Sequence, residues 1–156
     1  MGAVNADNYM YMGWRPQSEL AVRNGCLEHP MVVAIGMKSP HWEKVKRKFP
    51  DILNCCIDVR KPFSKREWNE SNYGSGFHPG TRKRIKDQGE LRWTVCFEIA
   101  LYMVITFGVA IILCNHGKHR SLSLAYEVAQ YAPCELVSTR QPDFPNKYKD
   151  VSVVMD

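Results

Sequence analysis

The sequence predicts an α/β fold, a single domain built on a mostly parallel sheet of about four strands with flanking helices. Three observations carry this expectation. The 156 residues fit one domain of ordinary size, with no room for two full ones. Their 45% apolar, 24% charged and 11% aromatic content is that of a chain able to bury a core, which excludes disorder and fibrous repeats. Short β-branched apolar runs also alternate with segments of helical period, the mark of βαβ units.

Taken in order, residues 1–30 show no clean period and carry Gly13, Pro16, Gly25 and Pro30, so an irregular N-terminal arm is expected there. Met31-Val-Val-Ala-Ile35 before Gly36 has the look of a buried strand. Ser39-Pro40 then offers a helix start, with Trp42, Val45 and Phe49 on one side and a stop at Pro50. Residues 53–59 fit a second strand that ends on Asp58 and Arg60. The polar stretch 60–89 lacks apolar periodicity and is expected to be a long basic loop.

Residues 91–113 are strongly apolar, and Ile99 to Cys114 is a run of 16 residues without charge. A bilayer needs roughly 20 residues, and Gly108 splits the run. The reading is therefore a helix, a break at Gly108 and a buried strand, not a membrane span. Leu122 to Tyr131 follows as a helix with Leu122, Ala125, Val128 and Ala129 on its apolar face. Residues 134–138 form a last short strand, which places the α/β domain at 31–140 and a polar tail at 141–156. No internal repeat appears.

Lys plus Arg exceeds Asp plus Glu by 21 to 16, and between Arg60 and Lys86 eight basic residues face two acids. Such a surplus suits an anionic partner. With Trp68, Tyr73 and Phe77 interleaved, Arg66, Arg82, Lys83, Arg84 and Lys86 are candidate contacts to an RNA backbone, against the plainer reading of a solvated face. The opening residues lack the apolar run of a secretory signal, and the six cysteines are scattered beside apolar runs. A reduced, cytoplasmic protein is expected, without a membrane partner and with the oligomeric state left open.

The strongest chemical signal is Cys114-Asn115-His116-Gly117-Lys118-His119-Arg120-Ser121, set between a buried strand and a helix. A tight loop there can turn backbone N–H groups toward an anion, and Gly117 permits the turn. The next helix aims its positive end at the same point, and Arg120 supplies a planar fork of donors. Lys118, His116 and His119 add charge or donors, and Cys114 in that field is a candidate thiolate. The alternative for Cys114 is a small core residue at a strand end. The spacing matches no closed zinc site, so no metal and no cofactor is expected. Asp58 and Arg60 close a strand expected beside that of Cys114. Asp58 can orient Arg120, bind a sugar hydroxyl or act as an acid, or the two can simply pair and hold the loop.

Two families resemble this pattern. The Cys-x5-Arg-Ser loop is similar to the phosphate loop of protein tyrosine and dual-specificity phosphatases, which implies Cys114 as nucleophile, Arg120 as phosphoryl clamp and Ser121 as helper of the leaving thiolate. Leu113 stands where those enzymes usually have His. No Trp-Pro-Asp-type acid loop is visible; Asp87, 27 residues before Cys114, is the nearest upstream acid, with Asp58 as the other choice. A broader resemblance covers residues 31–140. Ala34-Ile-Gly-Met-Lys38, Cys56-Ile-Asp-Val-Arg60 and Gly117-Lys-His-Arg-Ser121, in that order, look like the C-terminal domain of the bacterial RNase adapter RapZ. That resemblance implies a binding domain for a phosphosugar or similar oxyanion, often with an RNA surface and without demonstrated turnover. Its ligand positions fall on Asp58, Arg60, Cys114, His116, Gly117, His119 and Arg120. His116 replaces a glycine of that family, Lys61-Pro62-Phe63 replaces its Asn-Pro segment, and its ATP-binding half has no counterpart here.

Overall fold

Met31–Gly36 (β1) and Val109–Cys114 (β3) are buried at every position, as strands covered on both faces must be. The computed structural model describes residues 30–48, 54–63 and 74–154. Among them, Cys56–Asp58 (β2), Glu135–Ser138 (β4) and Lys149–Asp150 (β5) complete a sheet of order β2-β3-β1-β4-β5 in which every pair is parallel. Parallel neighbours need crossover connections, and helices supply them. Trp42–Lys48 (α1) links β1 to β2. Pro79–Asp87 (α2) and Glu90–Phe107 (α3) link β2 to β3, and Arg120–Tyr131 (α4) links β3 to β4.

The apolar run divides at Gly108. Trp93, Cys96, Ile99, Ala100, Met103, Val104 and Phe107 recur at helical spacing and bury one face of α3. Gly108 then takes φ 80°, and its N–H bonds back to the Val104 carbonyl, the left-handed stop that glycine allows at low cost. The strand starts at the next residue. No helix of the described residues is long and apolar enough to cross a membrane. The helix start expected at Pro40 falls two residues later, at Trp42; Ser39 precedes it, its hydroxyl accepting the His41 N–H at 3.2 Å.

The sheet has five strands rather than about four, because the 141–156 tail is not featureless. β5 pairs with Val137 and Ser138, and Val151–Val154 (α5) follows it. A two-residue Lys-Asp strand has no alternation to betray it; it exists through backbone pairing alone. The 60–89 stretch likewise contains α2. Its helix is capped by His78, whose Nδ1 accepts the Gly80 N–H at 2.9 Å, and it buries only Thr81 and Ile85. Two inward residues make too faint a period to read. β2 is shorter than expected at Cys56–Asp58. The 1–30 arm (apart from Pro30), Phe49 and Arg66 lie outside the described residues.

Topology places the site. The chain leaves β1 toward β2 and leaves β3 toward β4, in opposite directions. The right-handed crossover rule therefore sends α1 to one face of the sheet and α2, α3 and α4 to the other. The carboxyl ends of adjacent β1 and β3 become a switch point, where open α/β sheets form their crevice.

Candidate functional site

Cys114 ends β3 at that crevice. Its Sγ accepts the Gly117 N–H at 3.1 Å and lies 3.1 Å from the Ser121 hydroxyl, so the loop closes on the sulfur. Gly117 sits at φ 72°, and a Cβ there would stand 2.6 Å from the Gly36 nitrogen. Gly36 is equally tight: a Cβ on it would meet the His116 carbonyl carbon at 2.4 Å. The loop thus lies directly on the backbone that leaves β1, and only paired glycines permit the approach.

Two backbone clamps orient the loop. The Lys38 N–H donates to the Asn115 carbonyl at 3.1 Å, and the Gly76 N–H donates to the Lys118 carbonyl at 2.8 Å. Every peptide in the described chain is trans, so each plane carries its N–H opposite its carbonyl. With those carbonyls drawn outward, the N–H groups of His116 and His119 turn away from the flanking segments. α4 begins directly after them, and no side chain caps its first turn. The positive end of α4 thus starts at the loop itself.

Arg120 is only 7% exposed. Its Nη1 donates to the carbonyls of Phe63 at 3.0 Å and Arg60 at 3.4 Å. Among the described residues none takes its Nε or Nη2, so one prong of the fork is anchored. The Gly76 segment is held in turn by Ser75, whose hydroxyl donates to Asp143 at 2.8 Å, and by Phe77, which stacks on Tyr148 at 5.6 Å and meets Phe144 edge-on.

Of the alternatives open to Asp58 and Arg60, the structure forms the direct pair. Arg60 Nη2 lies 2.6 Å from Asp58 Oδ2, and Nε lies within 3.0 Å of both oxygens. The Arg60 N–H also donates to Oδ1 at 3.0 Å. Burial pushes the Asp58 carboxyl upward, but the hydrogen bonds and charge of Arg60, helped by Lys61, outweigh it and hold the group below the usual carboxylate range. Asp58 is paired in register with Leu113, beside Cys114. Arg60 is kept charged chiefly by its Asp58 hydrogen bond, against some burial, with the negative charge of Asp58 reinforcing it.

The other expected residues divide clearly. Asn115 and Lys118 are half-buried in the loop, His116 is exposed, and His119 is buried at 8% exposure. Asp87 closes α2 at 61% side-chain exposure and pairs with Lys83 at 2.7 Å. That end lies about 12 Å along the helix from Pro79, beyond the segment that clamps the loop. Arg82 is committed to structure, stacked 3.9 Å over Tyr126 and donating to the Phe77 carbonyl. Lys83 and Arg84 are exposed on α2 and Lys86 is half-buried. The described residues hold no metal-type cluster of His, Cys, Asp and Glu. Burial pushes the thiols of Cys96 and Cys134 up to about 11 and that of Cys56 higher, which marks them as structural.

Sequence reasoning missed the second clamp. Gly76 carries it because a Cβ there would meet the Ser123 nitrogen at 2.5 Å, yet Ser-Gly in a polar stretch reads only as loop. Compared with protein-family models, curated proteins and solved structures, the chain finds no match.

Proposed function

We propose that this protein is a binding module for a phosphorylated small molecule, a phosphosugar-like oxyanion held at the Cys114 loop, in the manner of the RapZ C-terminal domain that its sequence resembles. The observation that carries the reading is the outward clamping of the Asn115 and Lys118 carbonyls by Lys38 and Gly76. It turns the His116 and His119 N–H groups away from those two segments, beside the start of α4, which no side chain caps, and beside the buried Arg120 guanidinium. Asp58 and Arg60 border that place from the neighbouring strand and suit the polar body of a ligand.

The contacts of Cys114 Sγ with Gly117 and Ser121 favour a second reading, a cysteine-dependent phosphatase, because they would steady a thiolate. That chemistry also needs a protonated acid for the leaving group. Asp58, held below the usual carboxylate range by Arg60, is ionised near neutrality and is a poor donor. Asp87 faces solvent at the far end of α2. Binding without turnover therefore ranks first. RNA along the outer face of α2 draws on the exposed Lys83 and Arg84, and a cytoplasmic location draws on cysteines scattered beside apolar runs.

Calorimetry with orthophosphate and a hexose monophosphate, beside an aryl phosphate assay, tests the ranking. Binding that survives Cys114→Ser, with no turnover in wild type, is the expected result. Turnover that disappears in Cys114→Ser would reverse the order.

A further inference from the structure

The loop itself needs little more charge than it has, since N–H donors, the α4 start and Arg120 already match one phosphoryl group. The strand ends around it carry more. The segments 36–39, 58–63 and 114–121 hold Lys38, Arg60, Lys61, Lys118 and Arg120 against Asp58 alone, which is +4 of the chain's net +5. Elsewhere four described cations find carboxylates, Lys46 with Glu43, Lys83 with Asp87, Lys149 with Glu135 and Arg140 with Asp150, and Arg82 and Arg92 bond backbone carbonyls. Lys38, Lys61 and Lys118 form no such pair among the described residues.

Their arrangement is directional. β3 lies between β2 and β1, so the Cys114 loop is flanked by the segment that leaves β2 and carries Lys61 and by the segment that leaves β1 and carries Lys38. Lys38 is fixed at the backbone by its bond to Asn115, while its side chain is exposed. Lys61 lies within electrostatic reach of Asp58 without bonding to it, and is exposed as well. Like charges on both rims of the loop repel one another and the loop's own positive end, a cost that a second anion lowers.

We propose that the ligand of the Cys114 loop bears a second phosphoryl group, taken at the rim by Lys38 or Lys61. This rests on the reading of the loop as a phosphate site and specifies the class of its ligand. Two chemistries share the feature: a diphosphate, whose groups adjoin, and a sugar bisphosphate, whose groups lie on opposite ends of the ring.

The test is calorimetry with orthophosphate, pyrophosphate, a hexose monophosphate and a hexose bisphosphate, on wild type and on Lys38→Gln, Lys61→Gln and the double variant. All variants are exposed-surface changes whose folding is confirmed by thermal melts. In at least one pair the second phosphoryl should strengthen wild-type binding by about tenfold, the worth of one charge-assisted contact. The double variant should lose that gain and keep its affinity for the single-phosphate member. Gain in the pyrophosphate pair points to a diphosphate, and gain in the hexose pair to a sugar bisphosphate. Equal affinity within both pairs overturns the proposal while leaving the phosphate loop standing. So does a gain that persists in the double variant. Failure of all four ligands to bind would instead remove the loop reading itself.

Discussion

Arg120→Met removes the guanidinium while keeping much of the stem's length and packing, and its consequence can be worked from the geometry. Two carbonyls lose their donor. The Phe63 bond, at 3.0 Å, is well formed, and the Arg60 bond, at 3.4 Å, is at the limit of a hydrogen bond. A hydrogen bond to a charged group is worth about 1.5–3 kcal/mol, and the weaker partner adds less. Arg120 is 7% exposed and Phe63 fully buried, so water cannot easily replace the donor. Partial relief comes from no longer desolvating a guanidinium. The net expectation is a loss of about 2–3 kcal/mol, a large share of the 5–15 kcal/mol that holds a typical domain. Urea unfolding with unchanged m-values measures it. Near-ultraviolet dichroism should change as well, because Phe63 packs edge-on against Trp93 at 5.9 Å. Arg120→Lys keeps the charge but offers no fork, so it should fall between the two proteins in stability while losing most of the anion affinity. An Arg120→Met protein within about 0.5 kcal/mol of wild type would mean that the two carbonyls do not depend on this side chain.

Three further outcomes follow from other parts of the site. Gly36→Ala drives a Cβ into the His116 backbone, so it should cost about 1–3 kcal/mol in urea and weaken orthophosphate binding; a neutral result would show that the loop does not rest on β1 as described. Asp58 has a folded-state pKa lowered below its unfolded value, so its stabilisation is complete above the ordinary carboxylate range and is lost as pH falls through the folded value. Melting temperatures of wild type and Asp58→Asn should therefore converge on acidification below about pH 4, and a constant gap would refute the ion pair's contribution. Finally, thiols at about 11 are ionised to roughly one part in three thousand at pH 7.5, so iodoacetamide should leave Cys96 and Cys134 largely unmodified there in peptide mass maps; rapid labelling of either at that pH would place it outside the apolar setting described.

The parts of this fold that could be read from sequence are those in which one residue's chemistry decides a local event. Gly108 is such a case: an apolar run crosses it, and a positive φ at that point converts helix to strand within one residue. The Cys114 loop is another, since strand, glycine, arginine and helix start follow one another within eight residues. The elements that stayed hidden depend on partners distant in the chain. β5 exists because Val137 and Ser138 offer an edge, not because Lys149 and Asp150 prefer to be extended. α2 is held by Gly74, which takes the Thr81 hydroxyl bond, and by burial of Ile85. The same division runs through the site. That Arg120 matters follows from its type and spacing, but that its Nη1 holds the Arg60 and Phe63 carbonyls, 60 and 57 residues away, follows only from the packing of β2 beside β3. The arginine thereby joins the Cys114 loop to the turn that carries Asp58 and Arg60, and the two signals that the sequence gives separately are brought together through a single side chain.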